Sequence, residues 1–253
     1  MKKKIGLYDI IIAALIIITA ASTFMFVRSY VIGKQEQTEF EDLAELVVEV
    51  KPESDTVGDT ENPSETQTET TRDISSVLKS NSDCVGWIYL NNTVINYPVM
   101  HTPDEPEKYL HLSFYKNQSR AGTPFLDEAC NVNSSMNLII YGHNMKNGTM
   151  FHHLKRYKNK TYTLDNPIIE FQTKDTLHKY RIFAVCEIND NDSWYSFTKD
   201  IGEEAYNAKI QRIKSVDFFE TGITPTYPQK LITLSTCKDA SGKGRLVVLG
   251  VEQ

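Results

Sequence analysis

Nine short runs rich in β-branched and aromatic residues follow one another between residues 85 and 251: "VGWIYL", "VINYPVM", "GTPFLD", "MNLIIYGH", "TYTL", "PIIEFQT", "HKYRIFAVCEI", "KLITLST" and "RLVVLGV". Runs of this length and composition read as strands. The breaks between them are polar, as at Asn91 and Asn92, at residues 131–135 and at residues 190–192. Helical patterns are few. "RDISSVLKSN" carries Ile74, Val77 and Leu78 inward, "TMFHHLKRY" places Met150, Leu154 and Tyr157 on one face, and "IGEEAYNAKIQRIKS" does the same with Tyr206, Ile210 and Ile213. Such a series of strands buries its apolar faces by closing on itself or by packing on a second sheet. The residues therefore specify a mainly β domain, either a closed barrel or a sandwich. No internal repeat is visible.

The first 72 residues have a different composition. Residues 10–27, "IIIAALIIITAASTFMFV", are uncharged and strongly apolar. They reach the ~18 residues of a membrane-spanning helix. Lys2, Lys3 and Lys4 precede them, which places the N-terminus in the cytoplasm and the bulk of the chain outside. The small residues of "TAAS" leave a cleaved signal peptide as the rival reading, but the apolar run exceeds the ~7–15 residues of a signal core. Residues 1–33 carry a net charge of +3 and residues 34–72 a net of −9, so residues 73–253 are neutral within the chain's total of −6. A neutral domain without a basic stripe argues against nucleic acid as a partner. Within the acidic stretch, residues 34–50 fit a short amphipathic helix with Phe40, Leu43 and Val47 on one face. Residues 51–71, rich in Thr, Glu, Ser and Pro, bury too little surface to offset chain entropy and read as disordered. The expected organisation is a Lys-rich start and transmembrane anchor over 1–33, an acidic flexible tether over 34–72, and one domain over 73–253.

Four cysteines are present, Cys84, Cys130, Cys186 and Cys237, with no C-x-x-C pair to indicate zinc or thioredoxin-like chemistry. The even number permits two disulfides. Cys186 reads as a buried strand residue, and Cys84 and Cys130 have no catalytic context. Cys237 differs, because it stands where "LITLST" stops, with seven residues, 238–244, between it and Arg245, which opens the next strand. His143 likewise follows a buried strand, after the break at Gly142. In a barrel, strand ends gather at one rim, so Cys237 and His143 can meet there. An imidazole beside a thiol activates it as an ion pair or as a base. If the two last strands pair antiparallel, Arg245 faces Cys237, and its guanidinium can steady a developing oxyanion. His152 and His153 are adjacent on a helical pattern and point apart, and no H-E-x-x-H spacing occurs, so no metal site is expected.

The blocks "IIYGHN", "TLSTC" and "GRLVV" resemble the signature regions of the sortases, cysteine transpeptidases of Gram-positive cell surfaces. The resemblance extends through "VGWIYLNNTVINYPVM", "AGTPFLD" and "MFHHLKRY" to nearly all of residues 80–253. With the helix-forming stretch before the cysteine strand, it is most similar to class B sortases. It implies a closed sortase-type β-barrel of about eight strands with a few short helices, preceded by one transmembrane helix. It also implies Cys237, His143 and Arg245 as the catalytic set, with Asp239 as an orienting acid; Tyr141, Ser235 and Thr236 flank that set and either line the substrate groove or pack as strand residues.

The implied reaction needs no cofactor. A thioacyl-enzyme forms on Cys237 as a C-terminal sorting signal is cleaved after Thr, and the protein passes to a peptidoglycan amine, such as that of lipid II. A pilin lysine is the alternative acceptor. The implied location is the cell membrane, with the catalytic domain outside. The S-H-G-C setting of an L,D-transpeptidase is absent around Cys237. A tethered wall-binding or adhesin module is the non-enzyme alternative, and it would need none of Cys237, His143 or Arg245.

Overall fold

The computed structural model describes residues 6–50, 71–239 and 242–253. Lys2, Lys3 and Lys4 and most of the stretch expected to be disordered lie outside them. A helix, α1 (Leu7–Glu45), is followed by a small ribbon of β1 (Val48–Val50) and β2 (Thr71–Asp73) and by a short helix, α2 (Ser75–Ser80). The remaining strands are β3 (Cys84–Tyr89), β4 (Asn96–Met100), β5 (Phe125–Leu126), β6 (Asn137–Tyr141), β7 (Ile168–Gln172), β8 (Leu177–Ile188), β9 (Leu231–Cys237) and β10 (Arg245–Glu252). Helix α3 (Lys160–Asp165) precedes β7, and α4 (Glu203–Ser215) precedes β9.

The eight strands β3 to β10 close into a barrel in the order β10-β8-β7-β3-β4-β5-β6-β9. Closure settles the choice between barrel and sandwich. It is mixed: β4 with β5 and β6 with β9 pair parallel, and the other neighbours are antiparallel. Strands β8 and β10 are apolar along most of their length because both faces are covered. Ile182, Leu246 and Val248 point into the barrel core. Cys186, Val247 and Leu249 belong to a second cluster outside it, with Tyr206, Ile210 and Ile213 of α4. The face read from the α4 sequence is thus the buried one.

Three elements differ from the sequence reading. "TYTL" is not a strand but lies in α3, because the Asn159 side chain accepts the Tyr162 N–H at 3.0 Å and caps a helix there. Thr161 and Thr163 imitate strand alternation, and the Thr163 hydroxyl instead donates to the Tyr157 carbonyl at 2.7 Å. "MFHHLKRY" forms a 3-10 helix over Phe151–Lys158, burying Phe151, Leu154 and Tyr157 at a spacing of three. The amphipathic helix expected over residues 34–50 is, as far as Glu45, the unbroken continuation of the apolar helix, and the rest of that stretch leaves the helix at Leu46 and enters β1. Of the expected face, Phe40 (2 % exposed) and Leu43 (0 %) enter the barrel's core cluster, and Phe40 meets the Tyr97 ring edge-on at 5.1 Å, whereas Val47 lies past the helix end and packs against that cluster only partly buried. All four cysteines are free.

Candidate active site

Strands β6 and β9 run parallel with Tyr141 level with Ser235. The ladder continues one step, as the Gly142 N–H donates to the Ser235 carbonyl at 3.1 Å. Following that register two residues past Tyr141 sets His143 beside Cys237. On the other side of β9, Arg245 is the direct antiparallel partner of Cys237. The three candidate residues therefore meet at one rim, on three adjacent strand ends, and each is partly exposed. Glycine is required where β6 leaves the barrel: a Cβ at position 142 would stand 2.6 Å from the Phe151 ring.

Packing fixes the histidine's chemistry. His143 Nε2 lies 2.9 Å from the Leu110 carbonyl oxygen. A carbonyl only accepts, so Nε2 carries the proton and Nδ1 is the basic nitrogen of the neutral ring. Burial lowers the imidazole pKa below its ordinary value, and the neighbouring His111, its ring centroid 6.0 Å away, acts in the same direction. The hydrogen bond to Leu110 opposes these effects but does not overcome them. The resting ring is neutral at pH 7.

The cysteine strand is held from several sides. Asn144, the residue after His143, donates its amide to the Cys237 carbonyl at 2.8 Å. Its Oδ1 lies 2.9 Å from His152 Nδ1, which donates to it. The Thr236 hydroxyl donates to the Gly142 carbonyl at 2.7 Å, and the Ser235 hydroxyl pairs with that of Tyr195 at 2.8 Å. Ser235 and Thr236 are buried (1 % and 2 % exposed), with both hydroxyls engaged within the protein. Tyr141 is half-buried, donates to Asp127 at 2.7 Å and lies between the rings of Phe125 and Tyr195, at 5.5 and 5.9 Å. Burial, then the Asp127 charge, pushes the Tyr141 phenol strongly up. Burial raises Tyr195 to about 12, while its hydrogen bond with Ser235 and then the Arg245 charge pull it the other way.

Arg245 Nη1 donates to the carbonyls of Gly242 and Gly244, at 2.7 and 3.2 Å, so the guanidinium closes the loop that precedes it. Asp239 is exposed on the same loop, and its carbonyl accepts the Gly242 N–H at 3.5 Å. The other thiols are chemically distinct. Burial pushes Cys84 and Cys130 up to about 11 and Cys186 to about 12, so none is a thiolate at neutral pH.

Residues 88–253 match the family model described as the sortase domain. The chain belongs to the sortase family. Sortases are cysteine transpeptidases, and the curated relatives place this one nearest class B. It is 33 % identical to sortase B of Listeria monocytogenes over 183 residues, covering 70 % of this chain and 73 % of the relative. It is 28 % identical to sortase B of Staphylococcus aureus over 243 residues, covering 95 % and 92 %. Its fold superposes on a Staphylococcus aureus sortase B–substrate complex with a TM-score of 0.72 at 26 % identity, covering 88 % of this chain and 98 % of that one. The sequence reading reached the three rim residues but missed their supports. Asn144 was visible in "GHN" yet had no assigned partner, and His152 was weighed only as a metal ligand. The Leu110 carbonyl and the Tyr195 hydroxyl left no local sequence signal.

Proposed function

We propose that the protein is a membrane-anchored sortase that cleaves a C-terminal sorting signal after its threonine and joins the upstream protein to a peptidoglycan amine. The register that sets His143 and Arg245 on either side of Cys237 is the observation that carries this reading. The Cys237 proton passes to His143 Nδ1, giving a thiolate and an imidazolium. The thiolate adds to the threonine carbonyl carbon, and Arg245 stabilises the tetrahedral oxyanion. Collapse breaks the peptide C–N bond as the imidazolium protonates the departing amine, leaving a thioacyl-enzyme. The acceptor amine then attacks, loses its proton to His143 and releases the thiolate, which recovers the proton. Asp239 orients Arg245 through the loop they share. Tyr141 walls the peptide groove, and Ser235 and Thr236 keep the strand end rigid beneath it.

The anchor is the first part of α1, whose most apolar 18-residue window has a mean hydropathy of 2.6 and no buried residue. The apolar run starts just after three lysines, which supports an N-in orientation with the catalytic domain outside. The test uses the full chain, a sorting-signal peptide and an amine-bearing peptidoglycan fragment. The expected product is the peptide cleaved after Thr and bonded to the fragment. Hydrolysis alone, whatever the amine concentration, would refute transfer to peptidoglycan. Preferential transfer to a pilin lysine peptide would favour polymerisation.

A further inference from the structure

Helix α1 meets the barrel beside the proposed catalytic rim. Arg120 Nη1 donates to the Ser29 hydroxyl at 3.0 Å, and the Ser119 hydroxyl and Arg120 N–H both donate to Glu36, each at 2.7 Å. A Cβ built at Gly33 would stand 3.5 Å from Asn147 Nδ2. The loop that follows His143 therefore lies level with residues 29–36 of the helix. Between them is a cleft of about 950 Å³ whose walls carry Lys34, Arg120, Asn144 and Lys146 together with the carboxylates of Glu36 and Glu41. Asn144 is shared between this cleft and the Cys237 carbonyl.

The uncharged run ends at Val27. At a rise of 1.5 Å per residue, Ser29 and Gly33 lie ~3 and ~9 Å beyond it. The polar layer on each side of a bilayer is ~5–8 Å deep, so the inner end of the cleft, at Phe26, Ser29 and Tyr30, lies at headgroup depth, and Lys34 stands just beyond it with a side chain long enough to reach back. Charge is sorted along the axis to match. Arg28 and Lys34, with Arg120 and Lys146 from the barrel, occupy the level nearest the apolar run. Glu36, Glu39, Glu41 and Asp42 follow farther out. Glu36 is engaged by the barrel loop, and Glu41 accepts from the Gln37 amide at 3.1 Å. Among the described residues Lys34, Arg120 and Lys146 form no ion pair with a carboxylate.

Resting on the membrane-anchored reading, we infer that this cleft binds the phosphate of an outer-leaflet lipid headgroup and so holds the catalytic rim against the membrane surface. The cations supply the charge, and Asn144 and Asn147 supply neutral donors. Headgroup binding would seat the loop that also fixes Cys237, so membrane-tethered reactants would meet the thiol at the depth where they emerge.

The test is amide hydrogen exchange on the full chain in nanodiscs. One set contains phosphatidylglycerol, a second a phosphate-free glycolipid, and a third the glycolipid with added inorganic phosphate. Exchange over residues 119–121 and 144–149 should be about tenfold or more slower in phosphatidylglycerol than in glycolipid. The triple variant Lys34→Ala, Arg120→Ala, Lys146→Ala should lose that difference. Equal exchange in both lipids, with the chain retained in the discs, overturns the cleft proposal alone. Protection by inorganic phosphate in glycolipid discs also overturns it, by assigning the cleft to a soluble anion. Release of the chain from the discs by a high-salt wash would overturn the anchored reading and the proposal with it.

Discussion

At the residue scale, the proposed nucleophile differs from the three other thiols in where its strand stops. Cys84, Cys130 and Cys186 are enclosed and held protonated by burial, whereas Cys237 ends β9 at the open rim. His143 is presented as a neutral ring with its proton on Nε2. Imidazole ¹⁵N NMR should find the Nε2–H tautomer at pH 7 and protonation only below the ordinary value of about 6.5. A cationic ring at pH 7, or an Nδ1–H tautomer, would contradict this assignment. The linked stability follows in sign: a base whose folded pKa is lowered contributes in full above its unfolded value, and that contribution declines as pH falls below it. Arg245→Lys keeps the charge and loses the planar fork. It should lower kcat for peptide cleavage ~10²–10³-fold, and near-normal turnover would demote Arg245 to a loop-closing residue. Asn144 ties the histidine loop to the cysteine carbonyl. Asn144→Asp, nearly equal in size but without the amide donor, should lower kcat by about tenfold while leaving KM nearly unchanged. A rise in KM alone would place Asn144 in peptide binding instead.

At the element scale, sequence patterning was most informative where one face of an element is buried. Tyr206, Ile210 and Ile213 marked the α4 face, and Phe40 and Leu43 marked the docking face of α1. Patterning was less informative where a short-range hydrogen bond decides the structure. The Asn159 cap turns "TYTL" into helix, and a spacing of three among Phe151, Leu154 and Tyr157 selects a 3-10 helix. The length of α1 was also hidden, because its apolar and acidic halves look like separate units in composition. Its last turns are part of the barrel's core, although they precede the domain boundary read at residue 73. Phe40→Ala should therefore cost about 3–5 kcal/mol of unfolding free energy, measured by chemical denaturation of the full chain. A loss below ~1 kcal/mol would mean that the helix is only loosely docked.

At the scale of the whole molecule, the barrel brings together residues far apart in sequence. Strands β6 and β9 lie more than 90 residues apart, and their parallel pairing sets His143 level with Cys237. No local signal specifies that pairing, so the residues alone left barrel and sandwich open, and the family resemblance supplied the choice. The β9–β10 pairing was legible, because two apolar runs joined by seven residues form an antiparallel pair that faces Cys237 with Arg245. Helix α4 and the second apolar cluster cover the outer faces of β8 and β10, leaving the Cys237 end of β9 partly exposed. The central claim is that Cys237 at this rim forms a covalent acyl intermediate. Intact-protein mass spectrometry of the full chain after brief incubation with NPxTN- and LPxTG-like peptides tests it directly. The account predicts, with at least one peptide, an adduct of the mass of the fragment ending in Thr, mapped to Cys237, released by hydroxylamine and absent from Cys237→Ala. An adduct on Cys84, Cys130 or Cys186, or full turnover by Cys237→Ala, would contradict it.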